Sequence, residues 1–69
     1  MAVYKDKYGR RVEVMQAFGR WQPCVKLKRS ELWMAWHVAK VGGNRRDRES
    51  VEKAFVAYAE RLGLERIEA

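Results

Sequence analysis

Cysteine, proline and histidine occur once each in this 69-residue sequence. With Cys24 alone, no intrachain disulfide can form, and with only His37 beside it the ligands of a closed zinc site are missing. A nucleophilic triad would need Ser30 or Cys24 within hydrogen-bond reach of His37 and a carboxylate. Ser30 is better used as a helix cap, and His37 stands beside two tryptophans, so neither an enzyme nor a cofactor is expected. Cations near Cys24 would favour its thiolate, while a small side chain in a strand accounts for the residue equally well. Long apolar runs are absent too. The longest, Leu32 to Trp36, falls far short of the roughly 20 residues that a membrane span requires. No apolar leader with a small-residue cleavage site opens the sequence. A lone thiol without an export signal points to the cytoplasm and away from a membrane partner. Gly42-Gly43-Asn44 lacks the Lys-Ser/Thr ending of a phosphate loop and follows an expected helix rather than a strand.

What is present is apolar bulk and positive charge. Hydrophobic residues make up 48% of the chain, Trp21, Trp33 and Trp36 among them, so it should fold rather than stay disordered. A chain of this size is near the lower limit for an independent core, and homodimerisation is the cheap way to enlarge it. The net charge is +6. Residues 1–30 hold Lys5, Lys7, Arg10, Arg11, Arg20, Lys26, Lys28 and Arg29 against Asp6 and Glu13, so the whole surplus lies there; residues 31–69 are balanced. That asymmetry suggests an anionic partner for one end of the molecule.

The chain reads as a single domain, residues 1–69, with three parts. Residues 1–20 form an N-terminal hairpin extension: Val3, Tyr4, Val12 and Val14 are strand formers, and Asp6-Lys7-Tyr8-Gly9 has turn chemistry. Met15 to Phe18 is open to strand or to a short helical turn, and Phe18 to Pro23 reads as a break. Residues 22–62 form a strand–helix–helix unit. Val25 to Lys28 alternates apolar with cationic, as a strand does. Ser30 is the expected N-cap of a first helix carrying Leu32, Ala35, Val38 and Ala39 on one face. Gly42-Gly43 ends it. A second helix carries Val51, Ala54, Phe55, Tyr58, Ala59 and Leu62 and stops at Gly63, with Glu49 and Lys53 spaced to pair. Residues 64–69 are an acidic tail expected to fray.

This order and spacing resembles the ribbon–helix–helix (MetJ- and Arc-like) family of DNA-binding proteins, on Val25-x-Leu27, on the first-helix positions Leu32, Ala35, Val38, Ala39 and Gly43, and on Val51-x-x-Ala54-Phe55-x-x-Tyr58. Two features depart from the family pattern: a slightly long turn between the helices, and Pro23 where the ribbon would begin. The resemblance implies an α+β fold, a β-α-α unit in an intertwined homodimer whose paired ribbons lie in the major groove of double-stranded DNA, and a role in transcriptional regulation. Outward ribbon positions would then be Gln22, Lys26 and Lys28, facing bases. Arg29 and the turn residues Asn44, Arg45, Arg46 and Arg48 would bind phosphates.

Two alternatives stay open. Residues 3–6, 11–16 and 24–28 also suit a three-stranded meander with both helices on one face of a monomer. Trp33 and Trp36, with His37 beside them, form a second apolar stripe on the first helix. The hairpin or the dimer would bury it, or it would serve as a patch by which a small phage or mobile-element protein blocks a host protein.

Overall fold

The computed structural model describes residues 2–36 and 41–68. Five strands and one helix follow in the order β1 (Val3–Lys5), β2 (Arg11–Ala17), β3 (Arg20–Lys26), β4 (Trp33–Ala35), α1 (Arg48–Leu62) and β5 (Glu65–Glu68). The strands form one sheet in the order β4-β3-β2-β1-β5, every neighbouring pair antiparallel. The first four make a meander, and α1 carries the chain from one edge of the sheet to the other.

Each turn has a local cause. Between β1 and β2 the Gly9 amide donates to the Asp6 carbonyl, while the Asp6 carboxylate accepts from the amides of Tyr8 and Arg10. Between β2 and β3 only Phe18 and Gly19 intervene, at φ 54° and 73°. Positive φ at both positions is the type I′ geometry whose twist matches that of the flanking strands. Pro23 lies mid-strand without disrupting the meander. Its carbonyl accepts from the Trp36 amide, so its missing N–H faces the β4 side, beyond the last β4 pair, Cys24 with Ala35. Pairing with β2 continues past it from Val12↔Val25 to Ala17↔Arg20.

Helix α1 covers one face of the sheet. Asp47 caps its start by accepting from the Glu49 amide, and Gly63 ends it at φ 72°. Val51, Phe55 and Ala59, one helical turn apart, are fully buried against Tyr4, Val12, Val14 and Val25. Phe55 meets Tyr4 and Trp36 edge-to-face at 5.5 and 6.0 Å, and Trp36 meets Tyr58 in the same way at 6.1 Å. Such pairs add about 0.5–1.5 kcal/mol each to the area they bury.

The β-α-α unit expected from the sequence is not the fold. Residues 31 and 32 are not helical and Trp33–Ala35 is a strand, while Val38 and Ala39 lie outside the described residues. Ser30 caps no helix; its hydroxyl accepts from the Leu32 amide in the turn joining β3 to β4. Bulky Trp33 and Met34 suit a pleated surface, and the spacing of Leu32 and Ala35 fits a helix only when these neighbours are ignored. Residues 22–25 pair with β2 of the same chain rather than across a twofold axis, and the core they help build is closed by the chain's own helix. The meander was the nearer alternative, with one helix in place of two and two added strands. Gly43 ends no helix. It sits at φ 101°, and a Cβ there would fall 2.8 Å from the Ser50 carbonyl oxygen. The acidic tail does not fray within the described residues: Glu65–Glu68 pairs with β1. The helical ion pair is Arg48 with Glu52 at 3.6 Å, not Glu49 with Lys53.

Candidate nucleic-acid interface

Strand alternation turns Val12, Val14 and Gln16 of β2, and Trp21, Pro23 and Val25 of β3, toward the α1 side and leaves the other residues of the two strands on the opposite face. On that helix-free face, β2 presents Arg11, Glu13 and Met15, and β3 presents Arg20, Gln22, Cys24 and Lys26. The central row is sheltered even without a helix. Val3, Glu13 and Cys24 stand in register and are 1%, 9% and 4% exposed. Arg11 accounts for part of this. It bonds Glu13 at 2.7 Å and Glu68 at 2.6 Å, the two residues that flank Val3 in register, and so spans it.

One step along the strands the row is cationic. Lys5 pairs in register with Arg11, and Arg11 and Lys26 come one position beyond the Val12↔Val25 pair. Glu65 stands opposite Lys5 on the outer side. At this end an open groove of about 320 Å³ is lined by Gly9, Arg10, Arg11, Lys26, Leu27 and Lys28. Arg10 is held by Asp6 at 2.8 Å and Arg11 by its two glutamates. Among the described residues no carboxylate pairs with Lys26 or Lys28. Gly9 lies beside the latter: a Cβ there would stand 3.7 Å from the Lys28 ammonium, an ordinary contact distance.

The opposite end of the face holds a second group of cations. The Trp21 amide donates to the Arg45 carbonyl at 2.8 Å, which lays the segment before α1 along the start of β3. Arg20 and Arg46 are exposed there. The remaining residues of this segment are engaged. Arg45 turns inward and donates to the Val41 carbonyl at 2.7 Å. Arg48 stacks on the Trp21 ring at 5.3 Å and reaches Glu52. Asn44 accepts from the Arg46 amide and donates its own amide to Ser50.

The residues singled out from the sequence are thus divided. Gln22 and Lys26 share the helix-free face of β3. Lys28 and Arg29 lie past its end, in the turn, where Arg29 has φ 59°. Asn44 to Arg48 gather at the other end of the sheet. Six steps of about 3.3 Å separate the first and last residues of a seven-residue strand, so the two cation groups stand roughly 20 Å apart. Trp36 is core, 5% exposed, and Trp33 is half-buried on β4, so the two do not form a helical patch. His37 lies outside the described residues. Lys5, Arg11 and Arg20 were missed as members of this face; the alternation of Arg11 to Met15 was their only local signal.

Cys24 is no activated thiol. Burial, and then the charge of Glu13 opposite it, push its pKa up rather than down. Among the described residues no group of three His, Cys, Asp or Glu side chains could hold a metal ion, and no helix is long and apolar enough to cross a membrane.

Comparison with protein-family models, with curated proteins and with solved structures returned no match. The functional reading therefore rests on the residues themselves.

Proposed function

We propose that this chain binds double-stranded DNA by laying the helix-free face of the β2–β3 ribbon in the major groove, as a small regulatory protein would. The observation that carries the reading is the cross-strand row Lys5, Arg11, Lys26. Within and beside this row Arg11 is compensated by Glu13 and Glu68. Lys26 and Lys28 at the open groove have no carboxylate partner among the described residues, so a polyanion is the partner that would offset their charge. Dimensions agree. The major groove is about 12 Å wide and admits a two-stranded ribbon. β1 and β4 flank only residues 11–13 and 24–26, so the free two-stranded part of the hairpin, from Val14 to Gln22, enters the groove, with the Lys26 end roughly 20 Å from the Arg20 end. Lys26 and Gln22 then face base edges, a guanine acceptor for the lysine and an adenine edge for the amide. Lys28 and Arg29 at one end, and Arg20 and Arg46 at the other, meet phosphates and set the register.

The test is a salt titration of binding to a short random-sequence duplex, for the native chain and for a Lys26→Ala/Lys28→Ala variant. Counterion release predicts that log affinity falls linearly with log salt, by about 0.9 per phosphate neutralised. The double variant should show a shallower slope while melting at an unchanged temperature. Absence of duplex binding at low salt overturns the reading.

A further inference from the structure

Phe18 breaks two rules at once. It is the largest apolar side chain at the tip of the β2–β3 ribbon and is 100% exposed. It also occupies the first position of the type I′ turn at φ 54°, where asparagine, aspartate or glycine is favoured. A bulky residue held in the left-handed region is strained, and nothing in the fold compensates, because the ring is fully solvent-exposed. Local strain and apolar exposure together at one residue are unfavourable for folding, which points to a role outside the fold.

The surroundings name the kind of partner. Arg20 follows two residues later and is exposed. Trp21 is bonded to the Arg45 carbonyl, which brings exposed Arg46 and the amino end of α1 to the same end of the sheet. An exposed aromatic ring with exposed guanidinium groups at the same end of the sheet suits a ligand that is anionic outside and aromatic within. Nucleic acid has that chemistry: the cations hold phosphates while an apolar wedge enters between bases.

We propose that Phe18 inserts into the base stack of the bound duplex as a wedge, while Arg20 and Arg46 hold the flanking phosphates. The inference rests on the DNA-binding reading above. It places the deformation of the DNA at the ribbon tip, and it implies a preference for steps that unstack readily, pyrimidine–purine steps above all.

The experiment compares the native chain with Phe18→Asn on an alternating thymine–adenine duplex in which 2-aminopurine replaces some of the adenines. Because every step repeats, the register of binding does not matter. Three quantities are read: affinity, salt slope and the rise in 2-aminopurine fluorescence that reports unstacking. Asparagine suits the turn, so the variant should melt about 4 °C or more higher. It should bind about ten-fold more weakly, since loss of one aromatic–base contact has that order of effect. The fluorescence rise should vanish while the salt slope stays unchanged, because no cation is removed. A variant more stable and yet weaker in binding cannot be explained by misfolding. Equal affinity and equal fluorescence in both proteins overturn the wedge and leave DNA binding intact. Failure of the native chain to bind any duplex overturns the DNA-binding reading itself, and the wedge with it.

Discussion

The Trp21 amide donates to the Arg45 carbonyl over 2.8 Å, and through that bond a loop distant in sequence joins the hairpin to form one cationic end. Arg45 and Arg46 are neighbours with opposite duties there. Arg45 points inward to the Val41 carbonyl, whereas Arg46 is exposed. Arg46→Ala should leave the melting temperature unchanged and lower the salt slope of DNA binding by about 0.9. Arg45→Ala should instead lower stability by about 1.5–3 kcal/mol, the range for a hydrogen bond to a charged group. Thermal melts and duplex titrations of both variants separate the two roles.

The parts of this fold that the sequence made legible are those whose causes are local. Val51, Phe55 and Ala59 follow the helical period, and Gly63 stops the helix, as the αL cap confirms. Asp6 to Gly9 carries its turn in its own side chains. Three elements depended on distant partners and were misread or missed. Leu32 and Ala35 fitted a helical face, but a run this short is compatible with either period, and the edge of β3 recruits it as β4. Glu65 to Glu68 has no strand alternation and becomes β5 only because β1 offers a free edge. Gly19 suits the β2–β3 turn, but Phe18 stands where asparagine, aspartate or glycine is usual, so the hairpin is hidden where its chemistry is strained. The candidate interface was half legible for the same reason. Gln22 and Lys26 follow from alternation within one strand, whereas their alignment with Arg11 and Lys5 is a matter of register between strands.

Gly43 gives a prediction about the approach of the loop to α1. At φ 101°, with the Ser50 carbonyl oxygen 2.8 Å and the Val51 Cα 2.9 Å from any added Cβ, alanine meets both backbone strain and a steric clash. Gly43→Ala should destabilise the protein by at least about 2 kcal/mol. Gly42→Ala meets nothing within 4 Å and should be nearly neutral. Denaturant melts of the pair provide the comparison.

Phe55 anchors the aromatic cluster from the helix side, edge-to-face with both Tyr4 and Trp36. Truncating a buried phenylalanine to alanine costs about 3–5 kcal/mol. A domain of this size has roughly 0.05–0.15 kcal/mol per residue in total. Phe55→Ala should therefore leave much of the chain unfolded at room temperature. Loss of helical circular dichroism should coincide with a red shift of tryptophan emission as Trp36 becomes solvated.

Cys24 makes stability depend on pH at the alkaline end. Burial first, and the Glu13 carboxylate second, raise its pKa above the ordinary 9.0, so the folded state keeps the thiol proton where the unfolded chain has released it. The contribution to stability is complete below 9.0 and is lost as pH rises from there through the raised folded value. Tyr4 behaves in the same sense: burial, then its hydrogen bond to Glu60, raises its pKa from 10.0, so its loss sets in later. Cys24→Ala isolates the thiol. The native chain should lose denaturant resistance as pH rises above 9.0, and the variant should lose less over the same interval. Its native counterpart should also react slowly with iodoacetamide at neutral pH, because a buried neutral thiol is a poor nucleophile. Rapid alkylation of the folded protein, or identical pH profiles for the two chains, would show that the thiol is open to solvent and that Glu13 does not govern it.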